Sequence, residues 1–185
     1  MGSRRAKAVF RCTSATCSVS VPRRAIPFSS VNRKGKTGYD PSLQRHHLLP
    51  KQLLAERSFG QMFSQIGRGS VGFDDFRANG LLLPATEEAT LRTGMPLHRG
   101  PHRQYNELVI ERVGCVEAQW VKDSKSDTEQ ALFVALMRLH LLQSALRRRL
   151  LSEKRRMILN RKDPLGTGFD FTELDAMAEA LWKAT

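Results

Sequence analysis

Apolar positions along this chain gather in a few stretches, and their spacing changes from one stretch to the next. Leu43 to Leu49 is a short run of strand length. Over Lys51 to Ile66 the residues favour helix, with Leu53, Leu54, Met62, Phe63 and Ile66 available for one face. Glycines within Gly67 to Gly72 break that helix, and Phe73 to Ala78 reads as an irregular approach. Asn79-Gly80 is a turn signal, followed by the apolar run Leu81 to Leu83 and a stop at Pro84. A further helix is expected to begin near Pro96 to Pro101 and to run to Val113, where Gly114 ends it. Tyr105, Val109 and Val113 fall on the face of His102. Residues 128 to 159 read as one long helix with Leu132, Leu136, Leu139, Leu146 and Leu150 at helical spacing. Asp163-Pro164-Leu165-Gly166 breaks it, and a last helix is expected from Thr172 with Leu174, Met177, Leu181 and Trp182 as its apolar side.

These elements predict an α+β chain that is mostly helical, with a small two-strand hairpin packed on a helix and a C-terminal helical region. The chain divides into a basic arm over residues 1–40, a core over 41–115 and C-terminal helices over 116–185. The last part packs on the core or serves a partner. Its 185 residues are enough for a real hydrophobic core.

Charge changes the picture. The formal net charge is +12, from 30 Lys and Arg against 18 Asp and Glu. Such a surface attracts polyanions, nucleic acid first and anionic membrane second. The arm carries Arg4, Arg5, Lys7, Arg11, Arg23, Arg24, Arg33, Lys34 and Lys36 among Ser, Pro and Gly, and is suited to tracking phosphates. No apolar run approaches the ~18 residues that span a bilayer, and the N-terminal stretch lacks the apolar segment of a signal peptide. Three cysteines, Cys12, Cys17 and Cys115, argue against a disulfide framework. Asp163 to Leu174 imitates the second half of an EF-hand loop through Asp170 and Glu173. Its early positions fall on Lys162, Pro164 and Gly166, which offer no carboxylates for calcium.

Four of the five histidines form two sets: the adjacent pair His46-His47 in RHHLLPK, and His98 with His102 in LHRGPHRQYNE. His98 and His102 are four apart, a spacing that lets two imidazoles meet one metal ion on a helix. Pro101 is acceptable only in the first turn, so His98 should sit at or just before the helix start, with His102 one turn in. Adjacent residues on a strand point to opposite faces. One of His46 and His47 can therefore hold a cation while the other takes a proton from water. His140 reads as an interruption of the Leu-rich helix.

Taken together, HHLLPKQL, NGLLLP and HRGPHRQYN resemble the AHH branch of the ββα-metal, or HNH, nucleases, over roughly residues 41 to 113. That resemblance implies His46, His98 and His102 as ligands of one divalent ion, zinc or, in catalysis, magnesium, manganese or nickel. It implies His47 as general base and Asn79 as the residue that closes the hairpin and orients that base. Arg45, Lys51, Arg99 and Arg103 are nominated for substrate phosphates. The chain departs from the family in carrying Arg45 where the family has Ala before the histidine pair. The function implied is a metal-dependent endonuclease acting on DNA, or on RNA, with little sequence preference. Domains of this kind are often the toxic tips of bacterial toxins and secretion-system effectors, and the resemblance implies a protein made in the cytoplasm, delivered into a target cell's cytoplasm and neutralised by an immunity protein. The rival is a non-catalytic, zinc-stabilised nucleic-acid-binding protein, for which Cys115 would be a badly placed fourth ligand.

Overall fold

The computed structural model describes residues 24–153 and 157–166. Two short strands, β1 (Leu43–His47) and β2 (Gly80–Pro84), pair antiparallel with His47 opposite Gly80 and Leu43 opposite Pro84. The helices are α1 (Gly60–Ile66), α2 (Arg68–Val71), α3 (Phe76–Asn79), α4 (Glu87–Thr93), α5 (Arg103–Asp123) and α6 (Thr128–Leu150). The fold is the expected mostly helical α+β arrangement. The strands are not joined by a tight turn: residues 48–79 intervene, with two 3-10 turns and α1 to α3.

Several boundaries differ from those the sequence predicts. The helix expected over Lys51 to Ile66 is two 3-10 turns, Lys51–Leu54 and Arg57–Phe59, followed by α1. In one straight helix Leu53 and Met62 would lie half a turn out of phase. Breaking the segment lets both be fully buried in one core. Asn79-Gly80 is not a hairpin turn. Asn79 ends α3 and Gly80 begins β2 with an extended φ of −113°. Glycine is needed there for space, because a Cβ would collide with the Phe76 ring. Gly114 does not end the helix after His102; α5 runs through it to Asp123. A glycine costs a helix only about 1 kcal/mol, and continuing buries Val116 and Trp120. α6 ends at Leu150, its last buried apolar residue, short of the expected 159. α4 was not expected, although its signals are present. Thr86 caps it by accepting from Ala89 N, and Glu87 and Glu88 sit in its first turn.

α5 and α6 form an antiparallel pair joined through residues 124–127. Trp120 packs where Ala131 and Ala135 leave room for it. The same core continues through Leu139, Val113 and Val109 to Tyr105, Leu48, Leu49 and Leu83 beneath the hairpin. Polar groups on α6 fasten the long β1–β2 connection. His140 Nε2 bonds Ser70 O at 3.0 Å, Gln143 Nε2 donates to Val71 O at 3.0 Å, and Arg147 donates to Arg77 O at 2.8 Å. His140 therefore anchors α2 as well as interrupting the leucines.

Residues 24–42 are tied to the rest of the fold by hydrogen bonds. Ile26 N donates to Asp75 Oδ1 at 2.9 Å, and Phe76 N donates to Ile26 O at 2.7 Å. Asn32 Nδ2 donates to both Asp40 O and Leu43 O, tying this segment to the start of β1. The arm before residue 24, with Cys12 and Cys17, lies outside the described residues. So do the last helix expected from Thr172 and the EF-hand-like positions Asp170 and Glu173.

Candidate active site

His46 is the fourth of the five residues of β1 and is 3% exposed. Its ring packs edge-on to the Tyr105 ring, at 4.9 Å between centroids. Tyr105 is itself fixed by donating its hydroxyl to Leu48 O at 2.7 Å. Burial holds that hydroxyl protonated by raising its pKa. His98 and His102 complete a cluster around His46. Ring centroids are 4.8 Å apart for His46 and His98, 5.4 Å for His46 and His102, and 4.4 Å for His98 and His102. One nitrogen from each of the three lies within 4.8 Å of the others.

The route to this convergence is not the helical one the spacing suggests. His98 sits before α5 in irregular chain, with His98 N donating to Pro84 O at the end of β2. His102 is the N-cap of α5, not a residue one turn inside it. Gly100, at φ +80°, turns the chain between them. Pro101 then directs the chain into the helix without losing a helical hydrogen bond.

The cluster has the chemistry of a cation site. His46 Nε2 and His102 Nδ1 are buried and bond to no protein group. His98 Nδ1 bonds Gln44 Oε1 at 3.2 Å, which leaves its Nε2 available. Orphaned buried nitrogens are costly unless something accepts their lone pairs. All three rings are held neutral, the form that ligates. Burial first, then the neighbouring histidines, push the His46 pKa down to about 2. Burial and His102 lower His98 to about 4, and burial lowers His102. Three imidazoles fit one divalent ion and leave a position for another ligand. Cys115 is exposed and is not among the grouped residues.

This arrangement is expected to make the metal-free protein acid-sensitive. His46 has a depressed folded-state pKa, so the unfolded chain binds the extra proton below pH 6.5. Stability is complete above 6.5 and is lost as pH falls toward the folded value. At pH 5 the His46 contribution alone is down by ~2 kcal/mol, or ~4–8 °C in Tm for a chain of this size. The half-buried His98 and His47 add to it in the same direction. Thermal melts of metal-free protein at pH 7 and 5 measure this. An unchanged Tm would show that the histidines are solvated.

His47 projects from the other side of β1. Its ring stacks on Phe28, with centroids 3.8 Å apart and planes 3° from parallel. Burial, then Lys51, lower its pKa to about 4, against the opposing pull of Asp74. His47 Nε2 is buried and bonds to no protein group. His46 and His47 nevertheless line one cleft of about 280 Å³, together with Arg45, Lys51, His98 and His102.

Asn79 is fully buried, and its amide serves the backbone that follows the histidine pair. Its Oδ1 accepts from Leu49 N at 2.7 Å, and its Nδ2 donates to Leu49 O at 3.0 Å and Phe73 O at 3.3 Å. Gln143 Nε2 also donates to Asn79 Oδ1, at 3.3 Å. The Asn79 main-chain carbonyl accepts from Leu48 N at 2.8 Å. Asn79 thus bears on His47 through the chain at Leu48 and Leu49 and through Gly80, the strand partner of His47, and by no side-chain hydrogen bond of its own. Asn79→Ala strands the buried Leu49 N–H and is expected to lower stability by ~2–3 kcal/mol. Urea midpoints measure this, and a loss under ~1 kcal/mol would show the brace to be dispensable.

The nominated cations divide in two. Arg45 and Lys51 line the histidine cleft, and Arg45 also donates to Phe28 O at 2.7 Å. Arg99 and Arg103 line a neighbouring cleft. Sequence reasoning missed Phe28, Gln44 and Gln143. Gln44 alone carried a local signal, standing two residues before His46 on the same side of the strand.

Residues 28–145 match the model of the AHH family, a nuclease family of the HNH/ENDO VII superfamily with conserved AHH. The chain belongs to this nuclease family. The match begins at Phe28, the residue stacked on His47, and ends within α6 just beyond Gln143. No curated protein and no solved structure matches the chain. Membership implies hydrolytic endonuclease activity on nucleic acid, and HNH-type nucleases use a divalent metal. In this AHH nuclease Arg45 stands at the family's Ala position, where it reaches back to Phe28 O. Among the described residues no helix is long and apolar enough to cross a membrane.

Proposed function

We propose that this AHH nuclease is a metal-dependent endonuclease acting on DNA with little sequence preference. The observation that carries the reading is three imidazoles whose nitrogens meet within 4.8 Å, two of them buried without a protein partner, in one cleft with His47, Arg45 and Lys51. His46, His98 and His102 would hold one divalent ion. A divalent ion held there would supply Lewis-acid polarisation of the phosphate. His47 would serve as general base: burial and Lys51 lower its pKa, which favours the unprotonated ring at neutral pH, and its Nε2 bonds to no protein group. Phe28 fixes the plane of that ring, and Asn79 positions the chain that carries it. Arg45 and Lys51 would hold the scissile phosphate, and Arg99 and Arg103 a flanking one. Phosphate contacts carry no sequence information, which supports low specificity.

The family resemblance supports an antibacterial role, as a toxin or secretion effector acting in a target cell's cytoplasm, and the charge of +12 suits a polyanionic substrate. An acidic immunity protein would then complement the basic surface. The test is plasmid cleavage with magnesium, manganese, nickel or zinc, beside a structured RNA of equal phosphate concentration. Nicking of the plasmid in preference to the RNA supports the reading. Salt-sensitive binding without cleavage under any metal would leave a zinc-stabilised binding protein instead.

A further inference from the structure

Beyond the region matched by the family, residues 157–166 fold back against the segment carrying His98. Asp163 is 1% exposed, and its Oδ2 accepts from Leu97 N at 2.8 Å. Its Oδ1 accepts from Leu165 N at 2.9 Å. Asn160 Nδ2 donates to Arg99 O, while Asn160 Oδ1 accepts from Lys162 N. The turn is therefore fastened on both sides of His98, at Leu97 and at Arg99. Arg161 and Lys162 sit at its exposed tip.

This strap walls a cleft of about 380 Å³ lined by Arg99, Arg103, Gln104, Asn160, Arg161 and Lys162. Four cations share it, and among the described residues none forms an ion pair. Gathering them raises their mutual repulsion, which a bound anion relieves. Arg103 and Gln104 are the first residues of α5, whose N-terminus has no side-chain cap. The positive end of that helix adds to the same field. Arg99 follows His98 and Arg103 follows His102, so the cleft adjoins the histidine cluster.

We infer that Arg161 and Lys162, with Arg99 and Arg103, form a second phosphodiester subsite that holds the strand beside the phosphate being cleaved. The inference rests on the nuclease reading and deepens it. A ligand spanning both places must carry phosphates in series, as a polynucleotide does. The strap would lengthen the binding footprint beyond what the family core provides.

The test compares Arg161→Glu/Lys162→Glu with Lys122→Glu/Lys125→Glu, an equal charge change at the far end of α5 and the connection that follows it. Both are made in the full chain on a His47→Ala background, and a labelled oligonucleotide is titrated by anisotropy over a range of salt. The strap variant is expected to weaken binding about tenfold or more beyond the control. Its log-log salt slope should fall by about 2, one for each phosphate that is no longer neutralised. Equal weakening in both variants would overturn the subsite, because net charge alone would explain it. In the active protein, kcat/KM should fall more on an oligonucleotide than on bis(p-nitrophenyl) phosphate, which has no flanking phosphate. Equal loss on both substrates would also overturn it, showing that the strap only shapes the histidines. Arg161→Gln/Lys162→Gln gives the same comparisons if the charge reversal does not fold. If the unmutated protein cleaves neither substrate with any metal, the nuclease reading fails while the anisotropy still decides the subsite.

Discussion

His47→Ala is expected to lower plasmid cleavage by ~10²–10⁴-fold, the usual share of a positioned base. The ring lies outside the three-histidine cluster, stacked on Phe28, so its removal leaves His46, His98 and His102 in place. Metal titration should therefore give the same stoichiometry in the variant as in the parent. This pairing of outcomes separates the base from the ligands. Loss of cleavage together with loss of metal would mean that His47 acts through the fold. Undiminished cleavage with metal retained would sink its assignment as base. The acid limb of kcat/KM is a second check. With His47 depressed to about 4 by burial and Lys51, that limb should fall below the ordinary imidazole range.

Chelation should have the other large effect. Excess EDTA is expected to abolish cleavage, and readdition of a divalent ion to restore it. It should also lower thermal stability, because an ion that binds only the folded chain stabilises it by mass action. At a free concentration of 100 times Kd the gain is ~2.7 kcal/mol, or ~5–11 °C in Tm for a chain of this size. His102→Ala should lose that shift, since it removes one of the two orphaned nitrogens of the cluster. Cleavage that persists in EDTA, with no thermal shift on adding metal, would rule out the metal centre. The shift should survive in His47→Ala, which makes the two experiments mutually controlling.

What the sequence by itself determined is largely local. The strand periods around His46 and Leu81, the pairing of a histidine strand with an apolar one, and the long amphipathic α6 all follow from residue spacing. So does the association of the two histidine sets with one nuclease family, because its motifs are short and contiguous. The tertiary structure decided the rest. It replaced the helical H-x-x-x-H by a loop histidine and a helix cap, since Gly100 and Pro101 bend the chain and β2 seats His98 through Pro84 O. It turned Asn79 from a turn residue into a buried brace shared with Gln143 on α6, a contact spanning 64 residues that no local pattern reports. It brought Phe28 onto His47 and Asp163 onto Leu97 by the same means. Spacing encodes which face of an element is apolar. Which polar group completes a site depends on elements far apart in the chain, and those meet only when the common core beneath the hairpin is packed.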